Sequence, residues 1–367
     1  MNTEIKHIDV KAARRFLKNP NWTDLSTATT MDDTAAEVLS KCGGLSMNLN
    51  GLKKITTAAA GSLARSPVWC IELNGLAKLS LAAAKSLAKY HAALGLNGLT
   101  ELPETTAKVL AGHQGDYLDL DGLSELSDSV ATALAMHPGR LSLGGLARLT
   151  PTAAGALSKH DGAYLGLNGL TEMTTDTAVA LSRYKGGLEL NGLVALSAHC
   201  AKVLAQRRGL FLKLNGLVEV PDATATALAN FQGTLELNGL AELSPGAAKA
   251  LAKHQGDSLQ LNGLRNLSEA AAKNLANHQR TLSLDGLTEI PDAVAEALAN
   301  HPGDLSLQGL SAISDKAAKS LSSHSWDLNL GFFSELSKAA AKALSAKKGK
   351  ICSEYPADWV KSKCRNQ

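Results

Sequence analysis

Imidazoles, a thiol and carboxylates recur along this chain in patterns that could support chemistry. Seven histidines, His113, His137, His160, His254, His278, His301 and His324, fall at one position of a 23- or 24-residue spacing, where Tyr90, Tyr184, Arg207 and Phe231 replace them elsewhere. A ladder of imidazoles could ligate a metal ion, since neutral imidazole is a common metal ligand. His199 and Cys200 are neighbours and could act as base and nucleophile. Glu101, Glu125, Glu172, Glu219, Glu242, Glu289 and Glu335 offer carboxylates for general acid–base work. Another group sits elsewhere in the same spacing: Cys70, Tyr117, Tyr164 and Phe211, with Glu72, Asp119, Glu189, Lys213 and Glu236 beside them. Rings next to carboxylates suit the capture of a cation better than a reaction.

Which of these can act depends on the elements that hold them. The string L-x-L-N-G-L-x-x-L-S-x-x-A-A-x-x-L-A-x-H returns every 23 or 24 residues, and a fixed period of that size marks a solenoid. Its glycine position runs from Gly51, Gly75 and Gly98 to Gly309 and then drifts to Phe332; a degenerate first coil precedes it at Leu25-Ser26-Thr27-Ala28. Its second alanine position is occupied without exception from Ala36 to Ala341, which predicts helices stacked so closely that only a methyl fits between them. Leu235-Glu236-Leu237 alternates with period two, and Leu240, Leu243, Ala247, Ala248 and Leu251 follow at helical spacing. Each coil is therefore expected to be a strand and then a helix. Between the two, Asn238-Gly239 is a turn signal whose glycine can take positive φ. Ser80, Ser127, Ser244, Ser268 and Ser337 are expected helix N-caps, and Pro103, Pro221 and Pro291 take that place in three coils. Long and short coils alternate through Asn74, Asp121, Asn168, Asn215 and Asn262, with the extra residue in the return from helix to strand.

These residues resemble the leucine-rich repeat family over roughly residues 22 to 348, and the helical half is most similar to its bacterial-type, cysteine-containing or ribonuclease-inhibitor-like forms. The resemblance implies an α/β solenoid: a right-handed horseshoe of about fourteen repeats, with a parallel sheet on the concave face and helices on the convex face. Where the family usually carries Asn or Cys, this chain has Leu99, Leu123, Leu170, Leu217 and their equivalents. We read leucine as the apolar substitute, with the asparagine two residues earlier bonding to turn backbone. Both ends of such a stack need covers. Residues 1–21 are expected to form an N-terminal capping helix, residues 22–348 the repeats, and residues 349–367 a C-terminal cap. In that last segment Ile351-Cys352 could add a strand and Pro356 to Lys363 a short helix around Trp359.

The register then sorts the candidates. Cys200 holds the first alanine position of its helix, shared with Thr106, Val130, Thr177 and Val294, so it reads as a core cysteine. The histidines fall at the helix C-terminus, where they can bond the last free carbonyls and complement the negative helix end. The glutamates precede the N-cap, favour the positive helix end and are solvated. No G-x-x-x-x-G-K phosphate loop is present. No catalytic residue, metal site or cofactor is expected.

The outward positions of the strands carry no obligation to the core. Before the first strand leucine the longer coils place Cys70, Tyr117, Tyr164 and Phe211, with Trp22 in the first coil, and the shorter coils place Ala93, Arg140, Gly187 and Thr234. Aromatics on alternate coils would stand roughly 10 Å apart. The adjoining column, which includes Asp24, Glu72, Asp119, Glu189, Lys213 and Glu236, is acidic with small gaps. The expectation is a non-enzymatic scaffold that binds a protein partner, such as a basic or Arg-rich segment, around Tyr117, Tyr164 and Phe211. Two alternatives stand beside it: aromatics that only fill a wider strand start, and a structural spacer or self-assembling subunit.

Composition agrees. Aromatic residues make up 4% of the chain against 45% hydrophobic, so the core must be leucine and alanine. With 37 basic and 34 acidic residues there is no global field to draw nucleic acid or anionic lipid. No run of eighteen apolar residues and no apolar leader is present, which points to a soluble, cytoplasmic monomer with no membrane insertion. Five cysteines without C-x-x-C spacing suggest reduced thiols, with a Cys352–Cys364 bridge as the alternative.

Overall fold

The computed structural model describes residues 5–20, 23–44, 46–333 and 336–364. Two compact units make up the chain: Met1–Thr171 with Arg183–Glu189, and Glu172–Ser182 with Leu190–Gln367. Both are α/β solenoid segments. In the first, strands Met47–Asn48, Cys70–Glu72, Ala93–Gly95, Tyr117–Asp119, Arg140–Ser142, Tyr164–Gly166 and Gly187–Glu189 pair in parallel, in sequence order. In the second, Phe211–Lys213, Thr234–Glu236, Ser258–Gln260, Thr281–Ser283, Leu305–Leu307 and Leu328–Leu330 do the same. The register skips 23 residues at Tyr117↔Arg140 and 24 at Leu94↔Leu118, so the alternating coil length is absorbed between helix and strand.

The period produces this arrangement through burial. Most three-residue strands bury their central leucine and turn the flanking residues to the open face, as in Tyr117-Leu118-Asp119, whereas Leu305–Leu307 and Leu328–Leu330 start one residue later and bury their two leucines. Leu118, Leu120 and Leu123 of that coil are at most 1% exposed, as is Leu134 of its helix. Each such leucine contributes roughly 1.5–3 kcal/mol. The leucine that replaces the family's Asn or Cys thus belongs to the core throughout. Every second-position alanine from Ala36 to Ala318 is fully buried. Ala341, in the last of these helices, is only partly covered.

Most helices span seven residues, far too few to persist alone in water, so packing and caps sustain them. Ser80, Ser127, Ser244, Ser268 and Ser337 each accept a hydrogen bond from the backbone N–H three residues on. Pro103, Pro221 and Pro291 occupy the N-cap with no side-chain bond, each followed by an acid, Glu104, Asp222 or Asp292, that favours the positive helix end. First-turn acids also tie coils together: Ser244 Oγ donates to Asp222 Oδ1 at 2.8 Å and Thr150 Oγ1 to Asp128 Oδ1 at 2.7 Å.

Three expectations are corrected. The first coil supplies a helix, Asp33–Leu39, but residues 23–28 form no strand; Asp24 instead accepts from the Ser26 N–H, and Trp22 lies outside the described residues. The turn glycines do not take positive φ, a region that among described glycines holds Gly44. They are required because coils approach closely: a Cβ on Gly122 would sit 2.0 Å from the Asn97 carbonyl oxygen. Finally, Ile351 makes isolated bridges to Leu328 and Glu354 rather than a strand, because Cys352 and Ser353 at positive φ turn the chain back. The helix Pro356–Cys364 follows, with Trp359 buried and edge-on to Phe333. Cys352 is a free thiol that donates to the Leu330 carbonyl.

Candidate functional site

The open face of the sheet is organised by a ladder of asparagines. The backbone N–H of Asn74 donates to Asn50 Oδ1 at 2.9 Å, that of Asn97 to Asn74 Oδ1 at 2.9 Å, and that of Asp121 to Asn97 Oδ1 at 2.8 Å. In the second unit the same bonds run from Asn191 through Asn215, Asn238, Asn262 and Asp285 to Gln308. The amide oxygen therefore bonds turn backbone, that of the next coil 23 or 24 residues on.

The amide nitrogen faces the open side and there fixes a carboxylate of the following strand. Asn50 Nδ2 donates to Glu72 Oε2 at 2.8 Å, Asn97 to Asp119 Oδ2 at 2.8 Å, Asn168 to Glu189 Oε2 at 2.9 Å, and Asn215 to Glu236 Oε2 at 3.3 Å. Where the ladder residue is Asp, which cannot donate, the next strand supplies serine: Ser142 Oγ donates to Asp121 Oδ1 and Ser306 Oγ to Asp285 Oδ1. Four of the acids expected to meet a partner are thus half-buried and held in position.

Beside them stand the aromatics. Tyr117, Arg140 and Tyr164 lie side by side on adjacent strands. The Arg140 guanidinium rests 5.8 Å from the Tyr117 centroid and 5.0 Å from that of Tyr164, and the two rings meet edge-on at 6.2 Å. The rings are closer than the roughly 10 Å that two strand spacings alone imply. Tyr164 is 8% exposed, lies over Gly166, and donates its hydroxyl to Glu189 Oε2 at 2.8 Å. Burial and this carboxylate push its phenol far above the ordinary range. In the second unit Lys213 Nζ sits 5.2 Å from the Phe211 centroid and 3.6 Å from Glu236 Oε1.

Burial, with the Asp121 charge nearby, pushes the Asp119 carboxyl up to about 6, although the Asn97 amide works against the shift. Cys70, half-buried near Glu72 and Asp119, is raised to about 11, mainly by burial, and stays a thiol at neutral pH. The face so far offers aromatic rings, fixed carboxylates and the chain's own cations.

The remaining candidates are dispersed. Cys200 is buried, its thiol directed at the Met173 carbonyl, while the neighbouring His199 is exposed. Glu101, Glu125, Glu172, Glu219, Glu242 and Glu289 are exposed, and Glu335 lies outside the described residues. The histidines, expected at the helix end bonding free carbonyls, are interior groups at most 3% exposed. His254, His278, His301 and His324 stack at 5.7, 5.9 and 6.2 Å with near-parallel rings. Their neighbours are carbonyls: His254 Nε2 is 3.0 Å from Gly233 O, and His301 Nε2 is 2.8 Å from Arg280 O. Burial pushes His113, His137, His278 and His324 down to about 4, so the column is neutral at pH 7. Among the described residues no group of three or more His, Cys, Asp or Glu is arranged to hold a metal ion.

No protein-family profile and no curated protein sequence matches the chain. Among solved structures, it is similar to an internalin (InlF) of Listeria monocytogenes at 14% identity and TM-score 0.43, with 93% of each chain covered. A leucine-rich-repeat protein of Leptospira interrogans shows 16% identity and TM-score 0.40, covering 96% of this chain and 97% of that one. A structure of the yeast Rad7 and Elc1 complex shows 14% identity and TM-score 0.42, covering 93% and 86%. Likenesses at this level add no weight to what the coils display themselves. The recurring strand, asparagine turn and helix, with their unbroken leucine and alanine columns, make this chain a leucine-rich-repeat protein by fold.

Proposed function

We propose that the chain is a non-enzymatic scaffold whose open sheet face binds a basic segment of a protein partner. The observation that carries this reading is the pairing of asparagine-held carboxylates with aromatic rings: Glu189 with Tyr164, and Glu236 near Phe211 through Lys213. Holding a carboxylate in place before binding lowers the ordering cost of capturing a cation. The surrounding acids oppose a polyanion such as nucleic acid. No described helix is long and apolar enough to cross a membrane.

The test is calorimetric titration of an arginine-rich synthetic peptide into the protein and into a Glu72→Gln/Asp119→Asn/Glu189→Gln/Glu236→Gln variant. The variant should lose most of the affinity, whereas equal binding by the two proteins would refute the role of the acids. Affinity should also weaken as pH falls through about 6, where Asp119 takes up a proton.

A second reading, assembly between copies, has its own support: Phe332 is 83% exposed and Tyr355 73% exposed. Sedimentation velocity over a concentration series separates the two, since a monomer at every concentration eliminates assembly.

A further inference from the structure

Both aromatic sites on the open face are already covered by a cation of this chain. Arg140 is exposed, yet its guanidinium lies over Tyr117 and Tyr164, and no carboxylate among the described residues pairs with it. Lys213 covers Phe211 from the neighbouring position of the same strand and reaches Glu236. The arrangement recurs in two separate units, with the same column supplying the ring and the same ladder fixing the next acid: Asn168 on Glu189 and Asn215 on Glu236.

A guanidinium or ammonium held over a ring at a solvent-facing site is bound weakly. An incoming cation of the same chemistry can use the ring face and the carboxylate equally well, so cover and ligand compete for one place. Resting cover also keeps the rings from offering an apolar patch to unrelated partners.

We propose that the Tyr117 and Tyr164 rings, with Glu189 beside them, and likewise Phe211 with Glu236, form cation sites whose ring faces Arg140 and Lys213 cover in the free protein and that arginine side chains of a partner segment enter by displacing them. This rests on the basic-partner reading above and specifies its chemistry. A flexible peptide that presents separate arginines is the simplest ligand of this chemistry.

The experiment is isothermal titration calorimetry of a peptide of four Arg-Gly-Gly units with the full chain, with Arg140→Ala, with Lys213→Ala, and with Tyr117→Leu/Tyr164→Leu carrying or lacking Arg140→Ala. If the sites are self-occupied, Arg140→Ala binds roughly fivefold more tightly than the parent, as expected for removing a competitor held by about one exposed cation–π contact. Lys213→Ala gains similarly. Loss of one positive charge would also raise affinity through the general field, so the leucine background is decisive: there Arg140→Ala should give no gain. A peptide that binds the parent but not Arg140→Ala more tightly, or a gain that persists without the rings, overturns displacement and leaves the basic-partner reading intact. Absence of binding to every variant at millimolar peptide overturns both. Circular dichroism melting of each variant confirms that it is folded before titration.

Discussion

Asn97 spends one side chain on two coils, its oxygen on the Asp121 N–H and its nitrogen on Asp119. Replacing it by Asp would set a second carboxylate against Asp119, whereas Asn74→Asp faces Gly95, where no acid waits. Asn97→Asp should therefore lower the denaturation midpoint more than Asn74→Asp, by about 1–3 kcal/mol in stability. Equal losses would show that the amide nitrogen is idle. This pairing was legible in principle. Asn50, Asn97, Asn168 and Asn215 precede Glu72, Asp119, Glu189 and Glu236, while Asp121 and Asp285 precede Ser142 and Ser306. Reading each column by itself hides a match that lies one coil away. The histidine column was legible in part for a related reason: its place near the helix end followed from the register, but its burial depends on the next coil. Since the folded-state pKa values lie below the ordinary 6.5, the unfolded chain binds more protons at mildly acidic pH. Stability should be fully present above about 6.5 and should fall as pH drops toward about 4. A thermal melt series across that window checks it. His278→Phe, which installs the residue native at Phe231, should flatten part of the slope; an unchanged slope would mean that another group titrates.

Among the elements, strands and helices followed directly from the period, because alternation places leucines on one side of a strand and the 3.6-residue repeat aligns leucine and alanine on one side of a helix. The role of the turn glycine did not follow, because positive φ and close backbone approach both demand glycine and leave the same mark in a sequence. The two differ in outcome. At Gly122 a Cβ would meet the Asn97 carbonyl at 2.0 Å, so Gly122→Ala should destabilise by about 1–3 kcal/mol through overpacking. Urea denaturation measures it, and a stabilising alanine would mean that adjoining coils are looser than this spacing. The missing strand of the first coil and the isolated bridges at Ile351 mark places where the repeat motif had decayed, and there the sequence offered only hydrophobic fragments. Tyr164 is the corresponding case within the candidate site. Its column predicted an outward ring, but Arg140 and Glu189, each one coil away, draw it into cover.

For the molecule as a whole, nearly balanced charge conceals an uneven distribution. The first described helix carries Lys11, Arg14, Arg15 and Lys18, the helix Lys338–Ser345 adds Lys338 and Lys342, and the open sheet face holds the ordered acids. Like charge on the N-terminal helix Val10–Lys18 and on the last repeat helix opposes contact between those helices of two copies, which weighs against assembly through them. The open face is the recognition surface proposed above, and oxidative footprinting with the Arg-Gly-Gly peptide bound tests that proposal most directly. Tyr117 and Phe211 should become protected while Met136 and Trp326, exposed away from the strand positions, keep their reactivity. Protection confined to Phe332 and Tyr355, with Tyr117 and Phe211 unchanged, would contradict the account.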